Sequence, residues 1–121
     1  MKKMRGVGQL ALLSTDPQRV ADFYEAAFGF RRIAGGQGAV DLESGGFELS
    51  FRQGERATRD GIQIGFKVET AAEVDAWAQE LARRGFALVA PPSGDRYEGT
   101  RSFRLTDPDG RQVAVFYDYP G

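Results

Sequence analysis

The chain has 121 residues, 41% of them hydrophobic, and a formal net charge of −1 from 16 basic and 17 acidic side chains. That size and apolar content predict one folded domain, and the balanced charge gives no basis for binding nucleic acid or an anionic membrane. Cysteine and histidine are both absent, which removes disulfides, thiolate nucleophiles, imidazole bases and the two commonest zinc ligands.

The basic start Met1-Lys2-Lys3-Met4-Arg5 leads into a short apolar stretch that Gln9 interrupts, too brief for a secretory leader. No run approaches the ~18 apolar residues of a membrane span, so a cytoplasmic location is the expectation. Residues 8–14 predict a buried strand. Asp16-Pro17 then predicts a helix start, because the Asp16 carboxylate can cap free amides and Pro17 suits the first helical position. Val20, Phe23, Tyr24, Ala27 and Phe28 fall on one apolar face, which predicts core packing, and Gly29 is the stop. Three short strands follow at about 30–34, 39–43 and 47–52, with glycine-rich turns between them. Residues 53–60 lose all periodicity and read as a linker.

A second strand is predicted at 61–68. Thr70 with Glu73 forms a capping box, and Val74, Trp77, Ala78, Leu81 and Ala82 make the apolar stripe of a second helix, which Gly85 ends. Strands follow at about 86–90, 100–105 and 112–117, with a longer loop over 91–99 and a turn at Asp107-Pro108-Asp109-Gly110. The order is βαβββ, twice. The two copies are offset by 54 residues from Gln9 to Gln63, 54 from Asp16 to Thr70 and 56 from Gly29 to Gly85. Near-constant spacing of unlike features points to duplication of one supersecondary unit. The fold class expected is therefore α+β, one domain over 1–121, with a first module at about 5–52 and a second at about 61–119.

This order resembles the vicinal oxygen chelate superfamily, which includes glyoxalase I, bleomycin-resistance proteins, extradiol dioxygenases and fosfomycin-resistance enzymes. Carrying the likeness are Asp16 through Phe23-Tyr24 to Phe28-Gly29-Phe30, then Trp77 to Gly85-Phe86, and Phe103 through Asp107-Pro108-Asp109-Gly110. The resemblance implies two tandem modules whose curved sheets form a cup-shaped cavity, and a homodimer. It also implies four metal-ligand positions, which fall here on Gln9, Glu48, Gln63 and Ala114. Two amides, one carboxylate and a methyl group make a poor set for zinc, nickel or iron, and a weak one even for magnesium or manganese. No metal and no cofactor are therefore expected. Gln9 and Gln63 are either amides tied to each other or to Glu48, or donors to an organic ligand.

In such an architecture period-2 alternation sorts inner from outer residues. With Gln9, Glu48, Gln63 and Ala114 inward, Ala11, Leu13, Ser50, Arg52, Gly65, Lys67 and Phe116 join them. A hairpin closed by Asp107-Pro108-Asp109-Gly110 pairs Thr106 with Arg111 and hence Phe103 with Ala114, which places Arg101 and Phe103 inward too. A two-residue turn at Ser44-Gly45 sets Asp41 opposite Glu48. Tyr97 either folds over the mouth or is an ordinary loop tyrosine. Arg101 is either a pocket cation or a solvated or interface charge, and Glu48 with Lys67 is either part of the site or a structural ion pair. The expected ligand-binding set is Gln9, Glu48, Gln63, Lys67, Tyr97, Arg101, Phe103, Ala114 and Phe116.

Three functions fit this pattern. The first is a metal-free protein like the bleomycin-resistance branch, holding a small organic molecule such as an aromatic or cationic antibiotic. The second is an isomerase or lyase with an atypical centre or with Glu48 as general base. The third is a non-catalytic interaction module.

Overall fold

The computed structural model describes residues 2–4 and 6–121, so Met1 and Arg5 of the basic start lie outside it. The chain divides into two compact units, one ending at Thr58 and the next beginning at Arg59. That boundary falls inside the segment that lacks periodicity.

The first unit contains β1 (Gln9–Ser14), α1 (Pro17–Phe28), β2 (Arg31–Gly36), β3 (Ala39–Ser44) and β4 (Phe47–Gln53), with the strands ordered β1-β4-β3-β2. The second contains β5 (Gln63–Lys67), α2 (Ala71–Arg83), β6 (Leu88–Ser93), β7 (Thr100–Thr106) and β8 (Gln112–Asp118), ordered β5-β8-β7-β6. Each is a βαβββ module in which the opening strand runs parallel to the last and the others pair antiparallel. Among the described residues no helix is long and apolar enough to cross a membrane.

Both helices start where their caps predict. Asp16 accepts the Arg19 amide at 3.2 Å, and Pro17 occupies the first turn. Thr70 Oγ1 accepts the Glu73 amide at 3.2 Å, but its hydroxyl donates to Glu73 Oε1 at 3.1 Å, so the reciprocal bond runs between side chains rather than back to the Thr70 amide. Each helix lays its apolar stripe on one face of its own sheet. In the first unit Val20, Ala21, Tyr24 and Ala27 are buried with Leu12, Val40, Leu42, Leu49 and Phe51. In the second, Val74, Ala78 and Leu81 are buried with Ile64, Phe103, Leu105, Val113 and Val115. Removing this apolar area from water is the main favourable term in each unit. The opposite face of each sheet carries no helix.

Strand β6 extends through Ser93, so Pro91 and Pro92, expected in a loop, lie within it. Proline lacks the amide that a central strand must donate, and β6 tolerates two because it is an edge strand with an irregular register.

The first hairpin closes one residue later than expected. The turn is Gly45-Gly46, both at positive φ, and Ser44 pairs with Phe47. Glu43 therefore faces Glu48, and Asp41 faces Ser50 rather than Glu48. The shift moves the pairing by two residues, so Asp41 keeps the face it was assigned. Glu43 is held by the Gly46 amide at 3.0 Å and by Arg31 at 3.2 Å. The Gly46 amide first, and Arg31 more weakly, lower its pKa below the ordinary value of 4.5, with loss of hydration opposing them. A depressed carboxylate adds stability above its ordinary pKa and loses it as pH falls through the depressed value. We expect an NMR carboxyl titration of Glu43 to give a midpoint below 4.5, and to lose part of that depression in Arg31→Gln. A midpoint at the ordinary value contradicts this assignment.

Candidate functional site

The register of β7 on β8 decides which side chains reach the helix-free face of the second sheet. Asp107 donates its amide to the Arg111 carbonyl at 3.0 Å, and Gly110 donates to the Asp107 carbonyl at 2.9 Å with φ +89°. Three residues, Pro108 to Gly110, thus form the loop, with the glycine in the left-handed position of a bulge. Thr106 consequently pairs with Gln112, not Arg111. The expected pairing is wrong by one residue, and one residue reverses every side chain of β7.

Phe103 and Arg101 therefore leave the helix-free face. Phe103 pairs with Val115 and is buried in the core, while still bordering the groove described below. Arg101 pairs with Tyr117, grips Asp75 of α2 through two bonds of 2.7 and 3.2 Å, and donates to the Gly94 carbonyl at 3.0 Å. Its hydrogen bonds to Asp75 raise its pKa further. Arg101 is a fastener between α2 and the chain after β6, where Gly94 has φ +106° and a Cβ would lie 2.1 Å from the Thr100 carbonyl oxygen.

Ser102 and Arg104 take their places. Ala114 faces Gly65 on one side and Arg104 on the other, and Arg104 in turn faces Ala90. In the next row Lys67, Phe116, Ser102 and Ser93 lie side by side. The first row has side chains no larger than a methyl group except for Arg104. It floors a groove of about 400 Å3 bordered also by Gln63 and Thr100, a size in the range of small-molecule sites (roughly 300–1,000 Å3). The Phe116 ring lies over Gly65, where an added Cβ would meet it at 3.0 Å. Ala114 and Phe116 therefore sit as the sequence predicts, with Gln63 at one end. Lys67 pairs with Asp118 at 3.6 Å, and Tyr97 is fully exposed in the turn before β7.

On the corresponding face of the first sheet, Gln9 Nε2 donates to Glu48 Oε2 and to Ser50 Oγ, each at 3.2 Å. Gln9 is thus tied to Glu48, but it is exposed rather than buried. Asp41 on the same face has a buried Oδ1 without a hydrogen-bond partner. A hollow of about 420 Å3 near β2 includes Arg32, but that guanidinium is already committed to Gln18, Asp22 and Glu25.

Of the four positions that resemble metal ligands, Ala114 has no donor atom, and Gln9 engages Glu48 and Ser50 through its amide nitrogen, which leaves only its amide oxygen as a donor. Among the described residues no group of three or more carboxylates, histidines or cysteines is placed to hold a metal ion.

The family model described as the glyoxalase/bleomycin resistance protein/dioxygenase superfamily matches residues 6–115. No curated protein matches the sequence. Among solved structures, a glyoxalase/bleomycin resistance protein/dioxygenase from Nocardioides superposes with a TM-score of 0.81 at 18% identity, covering 100% of this chain and 88% of that one. A protein of the same description from Alicyclobacillus acidocaldarius gives 0.79 at 20% identity, covering 99% and 96%. A lactoylglutathione lyase from Agrobacterium tumefaciens gives 0.78 at 20% identity, covering 96% of each chain. At these identities the likeness establishes the fold.

Proposed function

Because the chain belongs to the glyoxalase/bleomycin resistance protein/dioxygenase superfamily, we propose that it binds a small organic molecule without a metal and sequesters it unchanged, an antibiotic being the case its resemblance to the bleomycin-resistance branch suggests. One observation carries the reading. The groove on the second sheet joins an aromatic wall, Phe116, to polar groups at Gln63, Ser93, Ser102 and Arg104, while Ala114 has only a methyl group where the family resemblance expects a metal ligand. A small-molecule site needs shape and a few convergent polar groups. A catalytic cation needs charged or imidazole donors, which are missing at Ala114 and Gln63.

The test is to follow backbone amide signals while screening small organic compounds, and then to recover each compound that binds. We expect saturable shifts at Ser102, Ala114 and Phe116, ligand recovered intact, and affinity indifferent to added divalent ions. Ser102→Trp, which fills the groove from its floor, should abolish the shifts. Turnover of a ligand that is lost in Glu48→Gln would overturn sequestration in favour of an isomerase or lyase.

A further inference from the structure

We infer that the groove on the second sheet selects an organic anion, a carboxylate or similar head group on a flat apolar body. The inference rests on the reading of that groove as a small-molecule site and adds the sign of the ligand's charge.

Arg104 is the one charged side chain that lines the groove. Its cross-strand neighbours are Ala114 and Ala90, with Gly65 beyond Ala114. None has a side-chain acceptor, so the guanidinium has no intramolecular counter-ion within its row. Some arginines hold carboxylates, as Arg31 does Glu43, Arg101 does Asp75, and Arg111 does Asp107 and Asp109. The Arg104 side chain, like those of the exposed Arg52 and Arg56, makes no hydrogen bond or ion pair with any described residue, and it is the one that lines the groove. A planar guanidinium matches a carboxylate with two parallel bonds.

The rest of the lining agrees in sign. It contains no carboxylate at all. Lys67, beside Phe116, is already neutralised by Asp118 at 3.6 Å, so the net charge of the groove is that of Arg104. The Thr100 hydroxyl donates to the Tyr117 carbonyl at 3.0 Å, which leaves the hydroxyls of Ser93 and Ser102 as donors beside the guanidinium. Phe116 and Ala114 provide the surface for an apolar body. A cationic ligand would bring its charge up against Arg104 and find no acid to compensate.

Benzoate, benzamide and benzamidine test this, since they share a ring and a planar head but carry negative, zero and positive charge. Titrated into the protein with amide signals as the readout, benzoate should saturate shifts at Ser102, Arg104, Ala114 and Phe116 at least about tenfold more tightly than benzamide, with benzamidine weakest. Arg104→Gln should erase that preference, and Arg104→Lys should keep part of it. Arg104 is exposed, so both variants should fold, and their amide spectra report whether they do. Benzamide or benzamidine binding as tightly as benzoate overturns the inference and leaves the groove standing as a ligand site. A preference for benzoate that survives Arg104→Gln also overturns it. No saturable shift in the groove with any of the three overturns the inference and counts against the groove itself.

Discussion

Arg111→Ala is expected to lower stability by about 3–5 kcal/mol, the loss found when one partner of a buried ion pair is removed. The Arg111 side chain is fully buried, as is that of Asp107, and Asp109 is 5% exposed. Its Nη1 donates to Asp107 Oδ2 at 2.9 Å and to Asp109 Oδ2 at 3.1 Å. Asp107 Oδ1 accepts the amides of Asp109 and Arg111 at 2.9 and 3.1 Å. Truncation leaves two carboxylates out of water and short of a cation, and such groups cost far more unpaired than their pairing contributes. For a chain of this length the loss corresponds to a fall in Tm of roughly 10–20 °C. The same loop sets the β7–β8 register, so hydrogen exchange should rise first across 100–118 and groove binding should weaken with it. A change below ~1 kcal/mol, the scale of an exposed pair, would contradict the buried triad. Arg111→Met combined with Asp107→Asn and Asp109→Asn should recover much of the loss, because an uncharged set removes the desolvation cost.

Tyr24→Ala should have a comparable effect in the first unit, about 3–5 kcal/mol. Tyr24 is fully buried at the centre of an aromatic cluster. It stacks on Phe51 with ring centres 5.6 Å apart, and meets Phe23 edge-on at 5.0 Å and Phe30 at 6.0 Å. Removing the ring loses its transfer free energy and leaves a cavity that α1 and β4 cannot close without breaking their own hydrogen bonds. Tyr24→Phe keeps the ring and should cost much less. Urea titration of both variants, with hydrogen exchange read over 9–53, separates the two contributions. A loss in Tyr24→Phe as large as in Tyr24→Ala would mean that the hydroxyl, rather than the ring, anchors the helix.

Some of this architecture was legible in the residues alone. The helices at Pro17–Phe28 and Ala71–Arg83 follow from a capping residue, a 3.6-residue stripe and a glycine stop, all of which act within a few residues of one another. The face of each residue within β1, β4, β5 and β8 follows from alternation in the same way. Gln9, Glu48, Gln63 and Ala114 each lie on the helix-free face because their neighbours Leu12, Leu49, Ile64, Val113 and Val115 are buried against helices.

What joins one strand to another was decided only in three dimensions. Whether Gly110 belongs to the turn or to a bulge is a choice of one residue, and it exchanged Arg101 and Phe103 for Ser102 and Arg104 on the helix-free face. A glycine after Asp-Pro-Asp was the available signal, because a left-handed residue at that point calls for the three-residue loop. The comparable slip at Ser44-Gly45 did no harm to Asp41, since it moved the pairing by two. The partners of charges were equally hidden. Lys67 meets Asp118 in its own sheet, and Arg111, a residue type that usually lies outside, is buried between two aspartates. Local order depends on neighbours in the chain, whose spacing the covalent structure imposes. Register and charge pairing compare alternatives of nearly equal local energy, and only the packed sheet separates them.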